Sequence, residues 1–307
     1  MRVVTPLPGH FGAYIPGISS RVIHVAPLWG AGGIGFFMYD FQSYVEKRRA
    51  DTTYRKAQVQ NYAYINDIDL QRQLSELDIA HQAVSMGLQA WRLVEGRKLQ
   101  AHAHDVGREN ERISKVWAEV CVAFNHSVLP IKLMNTQRSF FEPYDGQSGT
   151  FFGLSGAGCA LPASTLRFLF GRGIGALDNG HVPYLTLLRA FNGLTRGLLE
   201  RVSKIPEALL HWQRSAEITE DRAGILAARD ISAAIFAIMK SSLDWDDGEI
   251  MKEIRRYHEN LDVDWGSSEI QKRVKSIEIF MTSNLYRANG RPIQEVDGEV
   301  RKLYTIF

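Results

Sequence analysis

The chain has 307 residues, 45% apolar and 23% charged, which suits a globular fold and excludes disordered, collagen-like, coiled-coil and multi-span membrane classes. Thirty-six Lys and Arg against 34 Asp and Glu leave a formal charge of +2, without the basic excess of a nucleic-acid binder, so no nucleic-acid partner is expected. Two cysteines, Cys121 and Cys159, make neither a disulfide scaffold nor a cysteine-rich zinc site, and point to a reducing, intracellular compartment.

Residues 1–39 stand apart, with four of the ten prolines, seven glycines, no acid, and only Arg2 and Arg21 charged. Such a segment does not sustain a helix. It reads as part of an extended arm, residues 1–55, carrying the apolar side chains Phe11, Tyr14, Ile15, Trp29, Phe36 and Phe37. The stretch Val22–Tyr39 has no formal charge, but Pro27 and four glycines make it a poor membrane-spanning helix. An acid-free start also resembles a targeting peptide, yet transit peptides are richer in Arg and Ser, so the arm is expected to stay on the chain. Two readings stand open for it: a strap on its own domain, or an arm docking on a protein partner or a membrane surface.

A helical region, residues 56–107, follows. Leu70, Leu74, Leu77, Ala80, His81, Val84 and Leu88 recur at spacings of three and four. In residues 108–307 the periodicity predicts a helix over 108–124 and strands near 128–134 and within 147–159, with Pro130 favouring an edge. Helices are then expected over 163–177, 182–203, 207–228, 231–242, 249–260 and 268–285, ahead of a polar tail closed by Val300, Leu303, Tyr304, Ile306 and Phe307. The fold class is α+β and mostly α, with a small sheet.

Two glycine clusters have nucleotide-loop spacing. Gly30-Ala31-Gly32-Gly33-Ile34-Gly35 satisfies G-x-G-x-x-G, which lets backbone approach a pyrophosphate. Pro27 and Trp29 interrupt the strand that should precede it, and no βαβ alternation follows. Gly171 to Ala176 is a looser match inside an expected helix.

The segment from Trp212 through Arg214, Glu217, Asp221, Arg222 and Ala223 to Leu226 fits W-x-R-x-x-E-x-x-x-D-R-A-x-x-L. It resembles the HtpX-like zinc metallopeptidases, family 48 of the metallopeptidases; Asp230, Ala233, Ala234, Ile235, Met239 and Lys240 fit the continuation. The resemblance implies a zincin-like helical domain over residues 108–307, with Glu217 at the third zinc-ligand position and Asp221 supporting the metal shell. The family also places H-E-x-x-H on an earlier helix, two histidines for zinc and a glutamate as general base. The matching stretch is Leu166–Leu187, with Gly171, Gly180-His181 and Thr186-Leu187 in register. On that register Arg172, Gly173 and Ala176 stand where the first histidine, the glutamate and the second histidine belong.

Those exchanges remove the chemistry. Gly173 has no side chain to accept a proton, and Arg172 does not ligate a cation. The expectation is that Arg172 forms a salt bridge with Glu217 at the old metal position, because a buried Glu with no cationic partner is costly. The glycines at 171, 173, 175 and 180 imply either a broken helix or another backbone packed tightly against it. No other group stands out as a replacement ligand or nucleophile. His181 has a counterpart in active relatives and reads as structural. His211 lies six residues before Glu217 on another part of its helix, and His102-x-His104 reads as solvated surface. Ser155, Ser164, Ser215, Cys121 and Cys159 lack a nucleophile context.

The sequence therefore predicts a catalytically inactive metallopeptidase-like subunit of a larger assembly, without metal or cofactor. It would bind protein through its arm and vestigial cleft, in the cytoplasm or an organelle matrix, with peripheral membrane contact through Val22–Tyr39 as one form of docking. In active relatives substrate pairs with an edge strand; here the resemblance assigns that edge to Phe151–Leu154. The alternatives are an active enzyme with a rebuilt metal site or a nucleotide site at Gly30–Gly35, and a stand-alone peptide-binding regulator.

Overall fold

The computed structural model describes residues 62–76, 104–106, 110–134, 141–146, 149–195 and 205–305. The arm, Gly30–Gly35, Val22–Tyr39, His102 and the Leu77–Leu88 part of the expected helix lie outside the described residues. The protein is mostly helical with a small sheet, α+β as expected.

In chain order the elements are α1 (Ile65–Glu76), β1 (His104–Asp105), α2 (Glu111–Ala123), β2 (Ile131–Met134), β3 (Phe141–Gly146) and β4 (Gly149–Ser155). Then come α3 (Gly156–Cys159), α4 (Ala163–Asp178), α5 (Val182–Thr195), α6 (Ile205–Ala228), α7 (Ile231–Ser242), α8 (Asp247–His258), α9 (Ser268–Met281) and α10 (Ile293–Thr305). Helix ends follow local chemistry. The Asp230 carboxylate accepts from the Ser232 and Ala233 amides to start α7, Asp246 and Glu249 form a reciprocal capping box at α8, and the Ser267 hydroxyl accepts from the Ile270 amide at α9. Residues 293–305, expected as tail, form α10, because Val296 and Val300, four apart, are both fully buried.

The sheet runs β1-β2-β4-β3, with β2 and β4 parallel and the outer pairings antiparallel. Two strand expectations are corrected. β2 is interior between β1 and β4, and Pro130 sits just before it as a pure acceptor, its carbonyl taking the Phe152 amide at 2.9 Å. Phe151–Leu154 is interior too, because β3, a strand the periodicity missed, covers its other side. Pro143 disguises β3 in the sequence, and an edge position is where a strand proline is tolerated.

Between sheet and helices lies an aromatic cluster. Phe141 and Phe152 stack at 5.1 Å, and the Trp117 ring meets Phe141, Phe152 and Phe170 at 5.4, 4.9 and 5.3 Å. Four elements, α2, β3, β4 and α4, are thereby tied together. Tyr62, Tyr64 and Val106 join the same continuous core as α2 to α10.

Candidate functional site

The two segments that carry the resemblance lie on α4 and α6, and these helices pack directly on each other. Their approach is set by glycine. A Cβ at Gly171 would fall 2.7 Å from the Ala223 carbonyl oxygen and the Ala227 Cβ, and one at Gly175 would fall 2.7 Å from the Ala223 Cβ. Of the two readings of the glycines, close packing is the one realised: α4 is unbroken from Ala163 to Asp178. Gly180 lies beyond its end at φ +71, where it closes the helix. The Gly180 amide donates to the Leu177 carbonyl and the His181 amide to that of Ala176, so the Gly-His pair is a helix stop that turns His181 back under α4.

Arg172 leaves α4 toward α6. Its NH2 donates to Glu220 Oε2 at 3.1 Å, and its Nε lies 2.9 Å from Asp221 Oδ1 in an ion pair off the N–H axis. Asp221 in turn accepts two hydrogen bonds from Arg273 of α9, both 2.8 Å, a bidentate pair. The expected Arg172–Glu217 bridge is therefore corrected. Glu217 sits at the rim, 3.8 Å from Arg273 NH1, with 25% of its side chain exposed, while Asp221 and Glu220 face inward. Burial pushes the Glu217 carboxyl above its usual range, and the nearby charges of Arg273 and Arg172 only partly offset this.

On the other side of Glu220 the charges continue. His181 is fully buried, with Nδ1 3.1 Å from Glu220 Oε1 and Nε2 2.8 Å from Asp67 Oδ2. Burial alone would favour the neutral ring. The two carboxylates outweigh it and push the imidazole up to about 9, so His181 is a buried imidazolium at neutral pH. Asp67, on α1, also accepts from Trp212 Nε1 at 2.9 Å, Thr219 Oγ1 at 2.7 Å and Gln71 Nε2 at 3.1 Å. His181 and these donors overcome burial and hold its carboxyl below the ordinary value. The order Asp67, His181, Glu220, Arg172, Asp221, Arg273, Glu217 alternates in sign from end to end.

The remaining positions are filled with carbon. Ala176 is buried one turn from Arg172 on α4. Gly173 faces the sheet, where a Cβ would fall 2.4 Å from Phe141 Cε1 and 3.0 Å from Phe152 Cε1. Arg222, the other member of the Asp-Arg pair, points away from the charge chain. It ion-pairs with Asp297 of α10 at 2.7 Å, donates to the Tyr62 carbonyl and lies over the Tyr64 and Phe280 rings.

A zinc ion does not fit these residues. Arg172 brings a fixed cation between the carboxylates, Asp221 and Glu220 are committed to guanidinium and imidazolium groups, and both nitrogens of His181 face carboxylates. Among the described residues no group of three or more His, Cys, Asp or Glu side chains could hold a metal ion. The other candidates are dispersed. His104 lies in β1 opposite Leu133 rather than on a helix, and His211 is exposed on α6. Ser155 accepts from the Gly158 amide as a helix cap, Ser215 is buried, and burial pushes both Cys121 and Cys159 thiols up.

Sequence reasoning missed Asp67 and Arg273 and assigned no role to Glu220. Asp67 is 114 residues from His181, Arg273 is 52 from Asp221, and no local spacing joins them. No family profile, curated protein or solved structure matches this chain. Among the described residues no helix is long and apolar enough to cross a membrane.

Proposed function

We propose that this chain is a zincin-like pseudoenzyme related to the HtpX-like peptidases, and that it serves as a structural or accessory subunit of a larger protein assembly. One observation carries the reading. The position that the resemblance gives to the first zinc histidine holds Arg172, whose guanidinium reaches Glu220 and Asp221 across the α4–α6 seam. A cation is thus still supplied between these helices, but as a side chain. It neutralises the same acidic helix face without activating water, and no side chain at position 173 can take a proton. A scaffold that keeps its charge balance after losing its nucleophile has been retained for shape.

Protein partners of the arm, with Val22–Tyr39 as the apolar element, complete this reading, in a reducing compartment and peripheral to a membrane where the assembly is membrane-bound. The test is the native mass and metal content of the protein isolated gently from its own cells. The expected result is a stoichiometric particle larger than one chain, without zinc. A monomer carrying one zinc per chain and cleaving an unfolded protein substrate would overturn it.

A further inference from the structure

One edge of the sheet is β3, which among the described residues borders only β4 and packs against α4. Antiparallel pairing alternates between residue pairs that exchange hydrogen bonds and pairs that do not. Pro143 has no N–H, its carbonyl is taken from elsewhere, and the amide of its partner Phe152 turns to Pro130 on the far side, so Pro143–Phe152 is a pair that does not exchange. The polar backbone of Phe141, Pro143 and Asp145 therefore points outward, where an added strand would pair.

At the middle of that edge the proline offers only a carbonyl, and Arg189 of α5 occupies it. Arg189 NH1 donates to the Pro143 oxygen at 2.8 Å, its NH2 pairs with Glu142 at 2.9 Å, and its guanidinium lies over the Tyr144 ring at 4.5 Å. One side chain thus holds three consecutive residues of the edge strand. The hydrogen bond from Arg189 would have to give way before a strand from outside could take its place at the Pro143 carbonyl.

We infer that Arg189 is an autoinhibitory latch: it seals the outer edge of β3, so that this protein does not accept an extended peptide there unless α5 releases it. The significance of the closure rests on the pseudoenzyme reading, since active relatives take substrate on an edge strand. The closure itself rests only on geometry, and zinc in the purified protein would leave it standing. The consequence is that partners engage surfaces other than the vestigial cleft.

The test uses the full chain and a fluorescent, end-blocked octapeptide of alternating threonine and valine between terminal lysines, chosen because it can recognise only a free strand edge. Wild type should show no saturable binding by anisotropy. Arg189→Met keeps the apolar stem over Tyr144 but removes every donor, and it should bind the peptide about tenfold or more tightly than wild type, with new amide-exchange protection at Phe141 and Asp145. Arg189→Lys, which retains the charge and a donor nitrogen, should stay closed and serves as the fold control beside an unchanged thermal midpoint. Saturable binding by wild type with protection on β3 would overturn the latch. So would an Arg189→Met variant that is folded and still does not bind.

Discussion

Helix α4 has two faces built on opposite principles. Toward the sheet, Phe170 and Gly173 join Trp117, Phe141 and Phe152 in a dry aromatic contact whose one side-chain polar atom, Trp117 Nε1, donates to the Leu129 carbonyl at 2.8 Å. Toward α6, Arg172 enters a chain of alternating charges that leaves Asp67 and His181 fully buried. The aromatic face is held by area and shape, and its energy is spread over many weak contacts. In the charged face each ion is tolerable only because its neighbours are present, so deleting one strands another. Where the resemblance would place a metal and a general base, this protein has one face closed by carbon and the other by its own cations.

The sharpest way to break the aromatic face is Gly173→Glu, which introduces the residue that the resemblance places at this position. The carboxylate would run into the Phe141 and Phe152 rings, and the expected loss is about 4 kcal/mol or more, read by urea denaturation or as failure to fold. A stable Gly173→Glu protein would mean that this face of α4 is misplaced.

On the charged face Asp67→Ala should be nearly as damaging, at about 3–5 kcal/mol, because four donors, one of them the imidazolium, lose one acceptor. A loss below about 1 kcal/mol, the value of an exposed pair, would show that α1 is not anchored here. Asp221 and Glu217 then separate the inner part of the network from its rim. Asp221→Asn weakens a bidentate pair and should cost about 2–3 kcal/mol, whereas Glu217→Gln, at the rim, should cost under about 1 kcal/mol. The opposite order would put Glu217 back at the centre.

The remaining prediction is a slope with pH. A histidine raised in the folded state stabilises fully below its unfolded value near 6.5, and that contribution is lost as pH climbs through the folded value of about 9. The denaturation midpoint should therefore fall between about pH 7 and 10, and His181→Asn should flatten that slope. An unchanged slope in the variant would mean that His181 does not carry the buried charge.

How much of this is legible in the sequence depends on the range of the interaction. Helix α7 could be placed at Ile231–Ser242 because its apolar spacing and the Asp230 cap lie within a few residues of one another. Helix α10 was missed because Ile293–Thr305 carries only a narrow apolar stripe among charges, and its burial comes from contact with α9. Glycines at 171 and 175 announced either a broken helix or a close neighbour, without choosing between them. Strand β3 was hidden by Pro143, which is acceptable only because of an edge position that the tertiary pairing creates.

By itself, then, the sequence determined residue types: no histidine at 172 or 176, no carboxylate at 173, and an acidic helix face at 217–221 beside them. Which cation would serve that face was decided only in three dimensions. Glu220, Asp221 and Glu217 are all plausible partners for Arg172 along the chain. The choice among them was set by the rotation and close approach of α4 on α6 and by the arrival of Arg273 and Asp67 from distant segments, because ion pairs depend on distance and burial and carry no periodic signal.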